Sequence, residues 1–277
     1  MAEATPPRAP WDLALLAERA SYDRLPGWRR EPPEWDTVER PDILVWSGPL
    51  PHRDLSRVCY ARWTEATAEF GITEVLAFFA DRNVTSFEWD VGPSSRPADL
   101  ASRLANRGLV PVGRARLMTR DLTQLGPAIP SIVEVRAVLD EQTARHYFEV
   151  ARPDWSPDRV SPALRERIAY TAETHGGAGY LVAYLHGEPV GTASWRDSTD
   201  DLAVYLTGAT TRPEFRRRGI YTTLFHHRAH AALRRGRRYA AITAIAGTSA
   251  PILQRLDFAD HGELVTYGPR TRESVAI

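Results

Sequence analysis

Residues 210–235, TTRPEFRRRGIYTTLFHHRAHAALRR, decide how the rest of the chain is read. An apolar run at 203–210, AVYLTGAT, leads into them, and a helical pattern follows that stops at Gly236. Between strand and helix lie Arg216, Arg217, Arg218, Gly219, Ile220 and Tyr221. A strand, a tight basic turn with one glycine, and a helix N-terminus make a seat for phosphate. The first N–H groups of a helix have no partner within it, and the helix dipole favours anions there. Gly219 lets the backbone approach a ligand because no Cβ intervenes. No Gly-Lys-Ser/Thr follows, so this is not a Walker loop, and it is not a GxGxxG fingerprint.

The run resembles motif A of the GNAT N-acetyltransferase superfamily, Arg/Gln-x-x-Gly-x-Gly/Ala with a proline three residues earlier. Arg216, Gly219 and Pro213 match, and Tyr221 stands where the family has its last Gly or Ala. The resemblance implies acetyl-CoA as co-substrate. Its pyrophosphate would lie on the backbone of Arg217, Arg218, Gly219, Ile220, Tyr221 and Thr222, with Arg216 at the motif's first position. Ala209, Thr210 and Thr211 would offer main-chain groups to the acetyl and pantetheine portions.

The chain has 277 residues, enough for two domains. Formal net charge is zero, so no global field steers it to nucleic acid or membrane. Every basic residue is arginine, which rules out lysine chemistry such as a Schiff base. The single cysteine, Cys59, excludes an internal disulfide and reads as a buried apolar residue in VCYARW. No signal pattern opens the chain and no run approaches membrane-spanning length, so a cytoplasmic protein is expected.

Periodicity predicts helices at 11–22, 72–80, 97–107, 141–150, 162–174 and 249–256. Strands are expected at 43–46, 57–63, 86–91, 112–118, 132–138, 203–210, 239–244 and 263–267, with a hairpin over 180–195. Residues 1–9 are expected to be disordered, and a Pro-, Arg- and Glu-rich connection runs to about Arg40. Breakers at 121–131, DLTQLGPAIPS, suggest a boundary. A shift of 149 aligns ADLASRLANRGLVPVGRARLM at 98–118 with GTSAPILQRLDFADHGELVTY at 247–267. Both read as short helix, break, strand. The fold expected is α/β (α+β): a GNAT-like mixed, mostly antiparallel sheet flanked by helices, in two tandem halves. Residues 1–125 would be a degenerate GNAT-like domain without the cofactor motif, and 126–277 the acetyl-CoA-binding domain.

Amide formation from a thioester needs a neutral amine, a stabilised carbonyl oxygen and a proton for the departing thiolate. The family's usual acid and base are missing by alignment to the motif. Leu253 stands at the tyrosine position, Ala246 at an asparagine position, Ala241 at a glutamate position, and Tyr205 near another glutamate position. Tyr205, Tyr267 and Asp201 are therefore the catalytic candidates, with an ordered water or positioning alone as alternatives. Asp197, Asp200 and Asp201 could attract a cationic amine, but a charged turn is more simply a solvated one. His226 and His230 sit at i and i+4, yet lack the Glu of HExxH and a third ligand, so no metal is expected and the histidines are placed on the solvated side of their helix. Gly176, Gly177 and Gly179 mark a flexible loop. The function implied is acetyl transfer to a primary amine of a small molecule by direct attack, by a monomer or homodimer without nucleic-acid or membrane partners. The alternative is a non-catalytic acyl-CoA-binding sensor.

Overall fold

The computed structural model describes residues 10–22, 36–48, 56–127, 131–156 and 164–270, apart from 166, 167, 170 and 173. The expectations for residues 1–9, and in part for the helix at 162–174, fall outside that set. By spatial clustering the chain forms two compact units. One holds Met1–Tyr22, Glu31–Thr119 and Thr243–Ile277, and the other Asp23–Arg30 and Arg120–Ile242.

The first unit contains helix α1 (Pro10–Tyr22) and strands β1 (Asp36–Arg40), β2 (Ile43–Ser47) and β3 (Ser56–Cys59). Helix α2 (Ala68–Ala80), strand β4 (Glu88–Val91), helix α3 (Leu100–Asn106) and the long strand β5 (Leu109–Asp121) follow. Its sheet runs β1-β2-β3-β4-β11-β5, where β11 is the last strand of the chain, Ala259–Pro269. The core gathers Ile43, Val58, Trp63, Phe79, Trp89 and Leu104. Strand β1 lies in the stretch expected to be a plain connection. Among the described strands it has one neighbour, β2, and only Val38 packs on the core, so its charged sequence carries no alternating signal.

Strand β11 corrects the expected division at residues 125 and 126. It pairs antiparallel with both β4 and β5, which draws residues 243–277 into the first unit. The strands of the two similar segments pair with each other. Ala115 faces Leu264, and Arg114 Nη1 donates to Glu263 Oε2 at 2.6 Å, both pairs separated by the 149 residues of the sequence shift. The strands of the two helix–break–strand segments are antiparallel sheet neighbours.

The second unit contains β6 (Glu134–Ala137), α4 (Glu141–Ala151), β7 (Ala178–Leu185), β8 (Glu188–Asp197) and β9 (Ala203–Thr211). Helix α5 (Ile220–Arg234) and strand β10 (Tyr239–Ala244) complete the crossover; the short helix α6 (Ser249–Gln254), which precedes β11, belongs to the first unit. Strands β6 to β9 are antiparallel neighbours in order, and β9 pairs parallel with β10. A capping box fixes the start of α4, where Asp140 Oδ1 accepts from Thr143 N at 2.7 Å. One sheet face packs Tyr147 and Phe148 of α4 on Tyr180 and Val182, and the other packs Ile220 and Leu224 of α5 on Leu181 and Ala193. Both units are mixed α/β with mostly antiparallel strands flanked by helices.

Candidate active site

The parallel register of β9 with β10 covers only Ala203, Val204 and Tyr205, opposite Tyr239, Ala240 and Ala241. From Leu206 to Thr211 strand β9 has no register partner on that side among the described residues, although its ladder with β8 runs on to Thr211. An unpaired strand edge of this kind offers main-chain donors and acceptors to an extended ligand.

The β8–β9 ladder slips there. Thr192 faces Thr210 and Ser194 faces Thr207, so Gly208 and Ala209 together oppose Ala193. This is a bulge, which bends a strand and redirects its groups. Gly208 has φ +59, and a Cβ on it would lie 2.7 Å from Ser194 Oγ and 3.5 Å from the Tyr147 hydroxyl. Glycine is required by both conformation and space. Ser194 Oγ donates to the Thr207 carbonyl at 3.1 Å. Arg228, on α5 and 1% exposed, donates from Nη1 to the carbonyls of Ser194 at 2.9 Å and Thr207 at 3.3 Å, and from Nε to that of Leu224. Burial lowers its pKa to about 10, so the guanidinium stays charged at neutral pH. A cavity of about 280 Å³ opens beside the bulge, walled by Tyr147, Phe148, Tyr180, Ser194, Thr207 and Gly208.

At the end of β9 the chain turns through a short 3-10 helix, Pro213–Phe215, into the basic turn. Arg217 and Gly219 both adopt left-handed backbone, at φ +64 and +77. Thr223 N gives the first helical bond of α5, to the Gly219 carbonyl at 2.9 Å, so the amides of Ile220, Tyr221 and Thr222 precede that ladder. No side chain among the described residues caps them, and a Cβ at Gly219 would meet nothing within 4 Å. The seat is open. It adjoins a hollow of about 870 Å³ along Gly219, Thr222, His226 and His230. Arg216, Arg217 and Arg218 are not buried, with Arg218 lying 5.4 Å from the Phe215 ring. Ile220 points into the core, so it is its amide that faces the turn. Tyr221 is half-buried, and burial pushes its phenol pKa up.

The anticipated cofactor residues are thus contiguous: Ala209, Thr210 and Thr211 end β9, and Arg216 to Thr222 form the turn and first turn of α5. The catalytic candidates are not brought together. The Tyr205 ring lies beneath the Arg196 guanidinium at 4.3 Å. Asp201 is exposed at φ +58 and ion-pairs with Arg237 at 2.7 Å. Tyr267 belongs to the first unit, where it pairs with Trp89 and Pro111 and packs on that core. Asp197 is neither solvated nor free for an amine: it is 1% exposed and held by Arg235 and Arg237. His226 and His230 are half-buried with rings 6.1 Å apart, a departure from the solvated placement expected, while His227 is exposed. Burial lowers the pKa of His226. Among the described residues no group of three His, Cys, Asp or Glu is placed to hold a metal, and no helix is long and apolar enough to cross a membrane. Sequence reasoning missed Tyr147, Ser194 and Arg228. They come from α4, β8 and α5, and nothing local marks them.

Residues 143–251 match the family model "Acetyltransferase (GNAT) family", a span that contains the bulge, the basic turn and α5. Nothing among curated proteins matches the chain. Among solved structures, a GCN5-related N-acetyltransferase from Kribbella flavida is similar at 20% identity and TM-score 0.68, over 92% of this chain and 96% of its own. A tandem GNAT protein from the clavulanic acid biosynthesis pathway is similar at 16% identity and TM-score 0.64, over 93% of each chain. A GCN5-related N-acetyltransferase from Sphaerobacter thermophilus follows at 18% identity and TM-score 0.59, over 94% of this chain and 91% of its own. At such identities the likeness is one of fold, and it spans both halves of the chain.

Proposed function

We propose, from the premise that the chain carries a GNAT acetyltransferase domain over residues 143–251, that it transfers acetyl from acetyl-CoA to the primary amine of a small molecule. The observation that carries this reading is the free edge of β9 from Leu206 onward, leading directly into the uncapped N-terminus of α5. The main chain of Ala209, Thr210 and Thr211 would hold the pantetheine arm, and the amides from Arg217 to Thr222 the pyrophosphate, with Arg216 beside them. The co-substrate supplies a thioester carbonyl open to attack by an amine.

The protein's own groups do the rest. The bulge at Gly208 turns main-chain groups toward the cavity, and Arg228 and Ser194 hold the Thr207 carbonyl in place behind it. The Tyr147 hydroxyl, beside the bulge, would give a proton to the leaving group. Attack is direct. Ser194 already donates its hydroxyl proton to a carbonyl, and Cys59 is fully buried in the first unit. The protein works in the cytoplasm as a monomer or homodimer, without nucleic acid, membrane or metal. The first unit binds no cofactor of its own, since it lacks the basic turn.

Reversing the charge of the turn tests the seat. Arg217→Glu should weaken acetyl-CoA binding at least roughly tenfold by titration calorimetry, since an anion would then face the pyrophosphate. An unchanged affinity removes the site from this turn. A second reading, an acyl-CoA-binding sensor, is favoured by Leu253, a fully buried apolar residue where the family places its tyrosine. Free thiol release with an amine panel supports the enzyme; tight binding with no release supports the sensor.

A further inference from the structure

Arg228 buries a cation between α5 and the β8–β9 ladder. Its Nε donates to the Leu224 carbonyl one turn back at 3.1 Å, which fixes the guanidinium against its own helix. Its Nη1 reaches the sheet and is shared by the carbonyls of Ser194 at 2.9 Å and Thr207 at 3.3 Å. Removing a cation from water is costly, and main-chain oxygens offset that cost only when the geometry is held. Those two carbonyls flank the bulge. Ser194 faces Thr207 in register, and beyond that pair Gly208 and Ala209 together oppose Ala193. A bulge interrupts the ladder that ordinarily fixes each peptide plane, so the side-chain bonds to the Thr207 oxygen bear on how the Thr207–Gly208 plane lies.

The grip on that oxygen has a direction. It accepts from Ser194 Oγ, on β8, at 3.1 Å and from Arg228 Nη1, which also bonds the Ser194 carbonyl. Both donors lie on the β8 side of β9. The peptide is trans, so the Gly208 N–H is aimed the opposite way. It faces the edge of β9 that has no register partner among the described residues beyond Tyr205. A cation bonded to the oxygen of an amide also polarises it, which makes the N–H at the other end a stronger donor. We infer that Arg228 is a positioning residue of the transfer: it fixes and polarises the Thr207–Gly208 peptide so that the Gly208 N–H stabilises the thioester oxygen as charge gathers there. The inference rests on the transferase reading and adds a residue to it. In that transfer the amine nitrogen bonds to the carbonyl carbon and the C–S bond breaks. Sulfur keeps the electron pair and takes a proton from Tyr147, and the amine loses one to water. Arg228 gains and loses none; it acts through the peptide it holds.

The test reads the thioester carbonyl itself. Acetyl-CoA isotopically labelled at that carbon is bound to the full chain without amine, and its stretching band is followed by difference infrared spectroscopy. In the wild-type protein the band should lie below that of free acetyl-CoA, since a hydrogen bond weakens C=O. In Arg228→Met, which keeps much of the side chain's volume, the band should return toward the free position. There kcat from thiol release should fall by about 10²–10³, the effect of losing one such donor, with acetyl-CoA affinity by calorimetry held. Arg228→Lys keeps a cation and N–H donors and should recover part of both. Ser194→Ala removes the other side-chain donor to the Thr207 carbonyl and should move band and kcat the same way by less. It decides the matter if Arg228→Met shows no cooperative melting. A purely structural role would lower the melting temperature and leave the band in place. An unshifted band in the wild-type protein, or a band and kcat indifferent to these substitutions, overturns the inference alone. A wild-type protein that does not bind acetyl-CoA overturns the transferase reading and the inference with it.

Discussion

Tyr147 shows how one residue acquires a role that its own sequence does not announce. It lies in EQTARHYFEVA, an ordinary amphipathic helix, and its apolar body packs on Tyr180 at a ring distance of 5.3 Å. Only the bulge across the sheet places its hydroxyl beside Gly208. Replacing Tyr147 with phenylalanine keeps that packing and removes the hydroxyl alone. If the hydroxyl is the proton donor, kcat should fall by about 10²–10⁴, the usual contribution of a positioned acid, with acetyl-CoA affinity held. Retention of full kcat, read by thiol release at saturating substrate, would leave an ordered water as the acid. The contrast with Gly219 explains what could be read from sequence. The basic turn is a local device, its chemistry carried by backbone amides within a few residues, so Pro213, Arg216 and Gly219 announce it. Tyr147, Ser194 and Arg228 converge through the packing of three elements, and no spacing encodes that.

At the scale of an element, α1 is fixed to the first unit by a buried carboxyl. Glu18 is 1% exposed and lies against Gly92, whose absent Cβ makes room for it. Ser94 N donates to Oε1 at a long 3.5 Å, and Oε2 has no hydrogen-bond partner among the described residues. Burial raises its pKa to about 7, with Asp90 adding to the rise and the Ser94 amide, Arg62 and Arg96 opposing it. The folded pKa exceeds the unfolded one. The native state therefore keeps a proton that the unfolded chain has lost. Its stabilising effect is full below the ordinary carboxyl pKa of 4.5 and is lost as pH rises through about 7. The loss should approach roughly 3 kcal/mol once both states are ionised, because each tenfold difference in proton affinity is worth about 1.36 kcal/mol. Urea midpoints at pH 5 and pH 8 measure it, and Glu18→Gln should flatten the difference. A slope that survives in that variant would assign it to another group. The helix itself was legible from Leu13, Leu16 and Ala20; the burial of its acidic residue was not, since charge at a helical position usually means solvent.

At the scale of the whole molecule, order along the chain and membership in space disagree. The repeat at 149 residues was visible as a pattern of helix, break and strand, and it suggested two successive domains. What no local pattern could show is that the second copy's strand inserts beside the first copy's strand. Strand pairing depends on edges that meet only after folding, and two apolar strands give no register until they do. Strand β11 is therefore interior to the first unit, flanked by β4 and β5, with Leu264 buried in it and Phe258 buried just before it. A fragment of residues 1–125 would lack that strand. It would leave β4 and β5 with facing, unpaired edges and the core around Trp89 open on the side where Tyr267 packs in the full chain. The expected outcome is a fragment that aggregates or melts without cooperativity, because exposed interior edges invite pairing with other chains. Adding a peptide of residues 247–270 should restore a cooperative thermal transition by circular dichroism. Cooperative melting of 1–125 by itself, unchanged by the peptide, would show that β11 is dispensable to the first unit and that the linear boundary is the physical one.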